Sequence, residues 1–191
     1  QLKAVTISSG LAIHSTTEVL ELAMALWSDC HMYSSWSKQS LPEPNLDLEQ
    51  TNKHASSPYT FLHRSQLLGR SLSSEIHGCV ASFLGEVPRF DWQNLRWLAV
   101  ATGIGSFTST RVGVVLARTL AEQLDLPLYG LGCEAIATHS TGLNCSLGLA
   151  LLDLGYQAWQ QGNPSEHHWS LVLPLYGGEF GGKSDGKNLQ G

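Results

Sequence analysis

The chain has 191 residues, a formal net charge of −5 at pH 7 and a pI of about 5.9. That length can bury a sizeable core in one domain or in two small lobes. Its Lys and Arg are scattered with no basic run, which argues against nucleic-acid binding by this chain alone, because phosphate contacts dominate such affinity. In chain order, Leu11 to Ser15 reads as a short apolar strand ending in Thr16-Thr17. Glu18 to Trp27 reads as a second strand, because Leu20, Leu22, Met24 and Leu26 alternate with Glu21, Ala23 and Ala25. The pair and its tight polar turn predict an antiparallel hairpin. Asp29 to Tyr59 is rich in Ser, Pro, Asn and Gln and reads as a long loop with the character of an insertion. His31, His54 and His63 share no metal-ligand spacing, so surface positions are expected. Ser65 to Leu84 reads as a helix with Leu68, Leu72, Ile76, Cys79, Val80 and Phe83 as its apolar stripe.

The stretch from Leu95 to Glu134 organises the chain. Leu95 to Ala101 has strand length. Thr102-Gly103-Ile104-Gly105 breaks it, and Ser106 or Thr108 can cap the helix that follows, since a side-chain oxygen can take a first-turn N–H. That helix runs to about Leu124 and stops before Pro127. Leu128 to Leu131 then reads as another strand, which completes a βαβ unit with two parallel strands. Val112, Val115, Leu116, Leu120 and Leu124 have core-facing spacing. Gly113, Ala117 and Ala121 form a small-residue stripe beside them, fit either for packing inside the chain or for docking another protein. The glycine turn lacks a third glycine at the dinucleotide spacing, where Thr108 stands, and has no Walker lysine. It reads as a tight turn rather than a phosphate site.

Ala135 to His139 predicts a short helix. Thr138-His139-Ser140-Thr141-Gly142 only half matches a nucleophile elbow, because the first glycine and the strand-to-helix context are missing. Ser146 to Trp159 is apolar, and the spacing of Leu147, Leu149 and Leu151 favours a strand. Glu166-His167-His168 reads as a surface turn without a third ligand. Trp169 to Tyr176 is a last apolar segment. The four cysteines, Cys30, Cys79, Cys133 and Cys145, contain no C-x-x-C and read as free thiols of a reducing compartment rather than disulfides or zinc ligands. No apolar run reaches membrane length, and the start, which is Gln rather than Met, lacks the build of a signal peptide. A cytoplasmic location is the expectation.

The run Gly103-Ile104-Gly105-Ser106-Phe107-Thr108-Ser109-Thr110-Arg111-Val112-Gly113 resembles the G-P-G-S-F-T-G-x-R-(I/V)-G signature of the bacterial TsaB (YeaZ) family. Leu126-Pro127-Leu128-Tyr129-Gly130 is similar to that family's next strand entry. Leu11 to Glu18 resembles its opening "L-A-L-D-T-S-T-E", and Arg70 to Ile76 resembles its "R-x-H-S-x-x-L" helix start. Leu173-Pro174-Leu175-Tyr176 resembles its late "P-x-Y". Three positions depart: Ile104 stands for Pro, Ser109 for Gly and Leu72 for His.

The resemblance implies an α/β chain of the actin/Hsp70-like (ASKHA, RNase H-like) class. Residues 1–132 would form a first lobe with an insert-like loop at 29–60, residues 133–176 a reduced second lobe, and 177–191 a flexible tail. In that class an Asp at the end of the first strand serves the metal-bound phosphate. Here the place is taken by His14, and a neutral imidazole cannot do a carboxylate's work on magnesium. The resemblance therefore implies a pseudoenzyme with no catalytic residue, cofactor or metal. It would be a scaffold that docks on a TsaD-like transferase, alongside a TsaE-like ATPase, in the complex forming N6-threonylcarbamoyladenosine next to the anticodon. It would meet tRNA only through the complex and could homodimerise when alone. Arg70, Ser73, Arg111, Gly113, Ala117 and Ala121 are the expected interface, with Gly103, Gly105, Ser106 and Thr108 as the motif turn. On this reading Gly113→Leu or Ala117→Trp should weaken docking and leave the fold intact. The competing readings are an autonomous small-molecule kinase or ATPase of the same fold, a peptidase, and a self-associating structural module.

Overall fold

The computed structural model describes residues 7–28, 59–87, 90–162 and 167–176. Nearly all of the expected insert-like loop (29–58) and the whole tail 177–191 lie outside the described residues. Among the described residues, five strands and four helices follow in the order β1 (Ile7–His14), β2 (Val19–Ser28), β3 (Tyr59–Leu67), α1 (Leu72–Glu86), β4 (Leu95–Gly103), α2 (Phe107–Leu124), β5 (Leu128–Gly132), α3 (Cys133–Leu143) and α4 (Leu147–Gln161). The sheet order is β3-β2-β1-β4-β5. β2 is antiparallel to both β1 and β3, while β1, β4 and β5 run parallel. One reversed strand beside a βαβ unit makes a mixed sheet in an α/β chain, as expected.

Both faces of the sheet are covered, and the strand pattern explains how. Side chains alternate between faces along a strand. Leu11 and Ile13 of β1, Leu22 and Met24 of β2, and Leu98 and Val100 of β4 pack with α1 and α2. Their neighbours Ala12, Ala23, Ala25, Ala99 and Ala101, together with Trp97, face α3 and α4. The alanines let α4 lie close. A Cβ on Gly155 would stand 2.7 Å from Ala99 Cβ and 2.8 Å from the Trp97 ring, so only glycine permits this approach.

The hairpin β1–β2 and the unit β4-α2-β5 stand where the sequence placed them. Three elements differ. β3 stands where a loop end and a helix start are expected, and its Ser65–Leu67 belong to the strand rather than the helix that follows. Phe61-Leu62 is an apolar pair followed by four polar or charged positions, His63 to Gln66, so period two is invisible there. α1 accordingly begins at Leu72, after a single 3-10 turn at Gly69–Ser71. α4, expected as a strand, is a 15-residue helix. Its Leu spacing of two was misleading because the helix buries most of its circumference, from Gly148 through Asp153 and again at Gly155 and Tyr156. Residues 133–161, assigned to a reduced second lobe, pack on the sheet of the first. The last apolar segment forms a 3-10 turn at Trp169–Leu171, and Leu175 N–H then bonds Thr102 O at 2.6 Å beside the end of β4.

Candidate functional site

β1, β4 and β5 release the chain at one end of the parallel sheet, and the signature run lies there. Gly103 has φ +115°, a left-handed conformation, and a Cβ would stand 2.3 Å from Leu175 O. A Cβ on Gly105 would stand 2.3 Å from Thr16 O, and the next amide, Ser106 N–H, donates to that same oxygen at 2.8 Å. Both glycines are thus required by close backbone approach. Ser15 Oγ donates to Ser109 O at 3.0 Å. Ser106 occupies the N-cap position of α2, but its side chain makes no cap bond, and Thr108 is exposed. The expected hydroxyl cap is not made; Ser106 contributes its carbonyl, which accepts Thr110 N–H at 2.9 Å.

His14 ends β1 and is 1% exposed. Its Nε2 stands 3.3 Å from Thr16 Oγ1, which also accepts from Cys133 Sγ at 3.2 Å. Burial lowers the His14 pKa and outweighs the opposing pull of the Glu21 charge. The group at the end of β1 is therefore a neutral imidazole locked in the sheet, with none of the hard oxygen that magnesium prefers. Among the described residues, no three His, Cys, Asp or Glu side chains are grouped so as to hold a metal ion.

Two further polar clusters lie under α4. Glu21 Oε2 stands 3.2 Å from His63 Nε2, and Ser146 Oγ stands 3.0 Å from that same nitrogen. An acid, an imidazole and a hydroxyl meet here, which the sequence did not reveal, since His63 was expected at the surface. Both contacts fall on one ring nitrogen, however. A nucleophilic triad needs the acid on one nitrogen and the hydroxyl on the other, so this arrangement cannot pass a proton from Ser146 to Glu21. Elsewhere, His139 Nε2 meets Asp153 Oδ2 at 2.6 Å, and Gln157 Nε2 donates to that oxygen at 2.8 Å. His139, Glu134, Thr138 and Leu154 border an open groove of about 720 Å³ between α3 and α4. Ser140 Oγ donates to Cys145 O at 2.5 Å, tying off the end of α3 rather than presenting a nucleophile.

The expected interface residues separate. Arg70, Ser73 and Arg111 are exposed. Gly113, Ala117 and Ala121 are buried inside the chain, and a Cβ on Gly113 would stand 1.9 Å from Ser15 Oγ. The small-residue stripe is the inner face of α2, and the docking role expected of it is corrected. Val115, expected in the core, is 54% exposed. On α1, Ser74, Gly78, Ala81, Ser82 and Gly85 are exposed, and a Cβ on Gly78 or Gly85 would meet nothing within 4 Å.

Glu166 lies outside the described residues. His167 stacks on Tyr129 with ring centroids 4.4 Å apart, and His168 Nδ1 accepts Ser170 N–H at 3.3 Å. No helix among the described residues is long and apolar enough to cross a membrane.

Residues 66–144 match the family described as TsaD: tRNA N6-adenosine threonylcarbamoyltransferase. No curated protein matches the chain. Among solved structures, the chain is similar to YeaZ from Pseudomonas aeruginosa at 18% identity and a TM-score of 0.49, over 70% of this chain and 48% of that one. A Pseudomonas aeruginosa protein described as uncharacterised, with similarity to the peptidase YeaZ, aligns at 19% identity and a TM-score of 0.49, over 70% of this chain and 47% of its own. The chain spans about half the length of either structure. The family match runs from the end of β3 through α3 and encloses the whole 103–113 run.

Proposed function

We propose that this chain is a non-catalytic scaffold in the formation of N6-threonylcarbamoyladenosine in tRNA. It docks on a TsaD-like transferase through the outer face of α1 and α2 and activates it, with a TsaE-like ATPase in the same complex. The observation that carries this reading is the signature run inside the family match. Its glycines build a turn closed by protein backbone on both sides, and its Arg111 stands exposed on α2. The exposed Ser74, Gly78 and Ser82 of α1 support a helical partner, because small residues allow close helix approach. His14 at the end of β1 favours a scaffold over an autonomous kinase, which needs a carboxylate there.

Size-exclusion chromatography of the chain mixed with its cognate TsaD-like transferase, without and with ATP, tests the proposal. A 1:1 complex is expected. Gly78→Trp fills open space on α1, so it should abolish that complex while the circular dichroism spectrum and thermal midpoint stay unchanged. No complex under either condition refutes the scaffold reading, and a Gly78→Trp chain that still binds at full strength moves the interface elsewhere.

A further inference from the structure

Glu21 is a carboxylate 9% exposed on the α4 side of the sheet. Its Oε2 accepts the backbone N–H of Gly148 at 2.7 Å. Gly148 is in the first turn of α4, whose N–H groups have no acceptor within the helix. α4 is thus capped twice. Ser146 Oγ accepts Leu149 N–H at 3.3 Å from within, and a carboxylate on β2 caps it from outside. The fit is close, since a Cβ on Gly148 would stand 2.9 Å from Glu21 Cβ and 3.0 Å from Oε2. A negative charge at a helix N-terminus is also favoured by the helix dipole. The groups facing Glu21 that can carry positive charge are His14 from β1 and His63 from β3. Cys145, in the link before α4, is 7% exposed, and burial together with the charges of Asp153 and Glu21 pushes its thiol up to about 11.

We propose that Glu21 is a latch that holds the first turn of α4 on the sheet, and that this end of α4 opens as a local unit, uncovering the Cys145 thiol, when the carboxylate is lost or neutralised. The other half of α4 is held independently, by Gly155 against Ala99 and Trp97 and by Trp27 against Tyr156 and Trp159. The polar ties recorded at its start converge on Glu21, His63 and Ser146.

The test measures amide exchange by NMR and alkylation of Cys145 by iodoacetamide, read by peptide mass spectrometry, in the wild type, Glu21→Gln and Ser146→Ala. In Glu21→Gln, protection at Ala150 to Leu152 should fall at least tenfold and Cys145 alkylation should rise by a similar factor, while α1 and α2 amides keep their protection. Ser146→Ala, which leaves the carboxylate in place, should change both readouts by less than Glu21→Gln does. If only Gly148 exchanges faster and Cys145 stays inert, Glu21 is a local acceptor and the latch is refuted. Should Glu21→Gln fail to fold, the wild type stepped from pH 5 to pH 3, with rates divided by intrinsic exchange, gives the answer. Loss of protection at the start of α4 before α1 and α2 upholds the latch, and simultaneous loss everywhere overturns it.

Discussion

Gly113 and Glu21 illustrate how much of this fold rests on single buried positions. A side chain on Gly113 collides with Ser15 Oγ, which is itself bonded to α2. Overpacking of this kind costs about 1–3 kcal/mol. Gly113→Leu should therefore lower the urea midpoint of the isolated chain, and an unchanged midpoint would show that α2 is not seated on the β1 end. For Glu21, burial acts to raise the pKa, but the bonds from His63 and Gly148 and the charges of His63 and His14 outweigh it, so the net shift is below the ordinary 4.5. A lowered carboxylate pKa contributes stability that is present above the unfolded value and lost as pH falls through the folded one. His14, whose pKa burial pushes below 6.5, acts earlier. As pH falls through 6.5 its unfolded imidazole takes a proton that the folded one resists, so folding loses stability there too. Urea titrations from pH 7 to pH 3 should show both losses. Glu21→Gln should remove only the part below about pH 4.5, and a profile identical to wild type would refute this assignment.

α2 and α4 show what the sequence disclosed at the scale of elements. The 3.6-residue period placed α2 correctly to its last residue, and Leu116 is buried with Val112, Leu120 and Leu124 packed against the core, but the small-residue stripe also faces inward and Val115 faces out. Of Val112, Val115, Leu116, Leu120 and Leu124, which bulk and spacing suggested were core, only Val115 faces solvent. The sheet beneath α2 already carries Leu11, Ile13, Leu98 and Val100, so the helix fits only by turning Gly113, Ala117 and Ala121 towards it. That complement is a tertiary fact, and periodicity does not encode it. For α4, a helix apolar around most of its surface has no period to read, and the alanine face that receives it looked like the solvent side of a half-buried hairpin. The signature turn was legible because close backbone approach fixes residue type there, Gly103 against Leu175 O and Gly105 against Thr16 O. The Glu21–His63–Ser146 cluster joins β2, β3 and α4 over 125 positions of sequence, and no spacing rule spans that. The inward small-residue stripe and the outward Val115 predict opposite outcomes for neighbouring substitutions. Ala117→Trp, at a position 0% exposed, should unfold the chain. Val115→Ser should shift stability by no more than about 0.5 kcal/mol. Thermal melts of both decide it, and a stable Ala117→Trp would restore the outward stripe.

For the whole molecule, the question is whether residues 133–176 form a lobe that the rest can do without. The layers say otherwise. A sheet with helices on both faces has two apolar surfaces to bury, and here one is covered by α1 and α2 and the other by α3 and α4. Ala12, Ala23, Ala25, Trp27, Trp97, Ala99 and Ala101 are each at most 3% exposed, and α4 is the element that lies across them. Removing it returns that surface to water at about 25 cal/mol per Å² of apolar area, against a total stability that for a domain of this size is only about 5–15 kcal/mol. A chain ending at residue 143 keeps every strand, the signature turn and both helices of the proposed docking face, yet it should fail to fold, giving no cooperative thermal transition and binding a hydrophobic dye strongly. The 191-residue chain should melt cooperatively under the same conditions. If the truncated chain instead melts cooperatively and still forms the 1:1 complex, then α4 is dispensable, and residues 133–176 are the separable unit that the sequence first suggested.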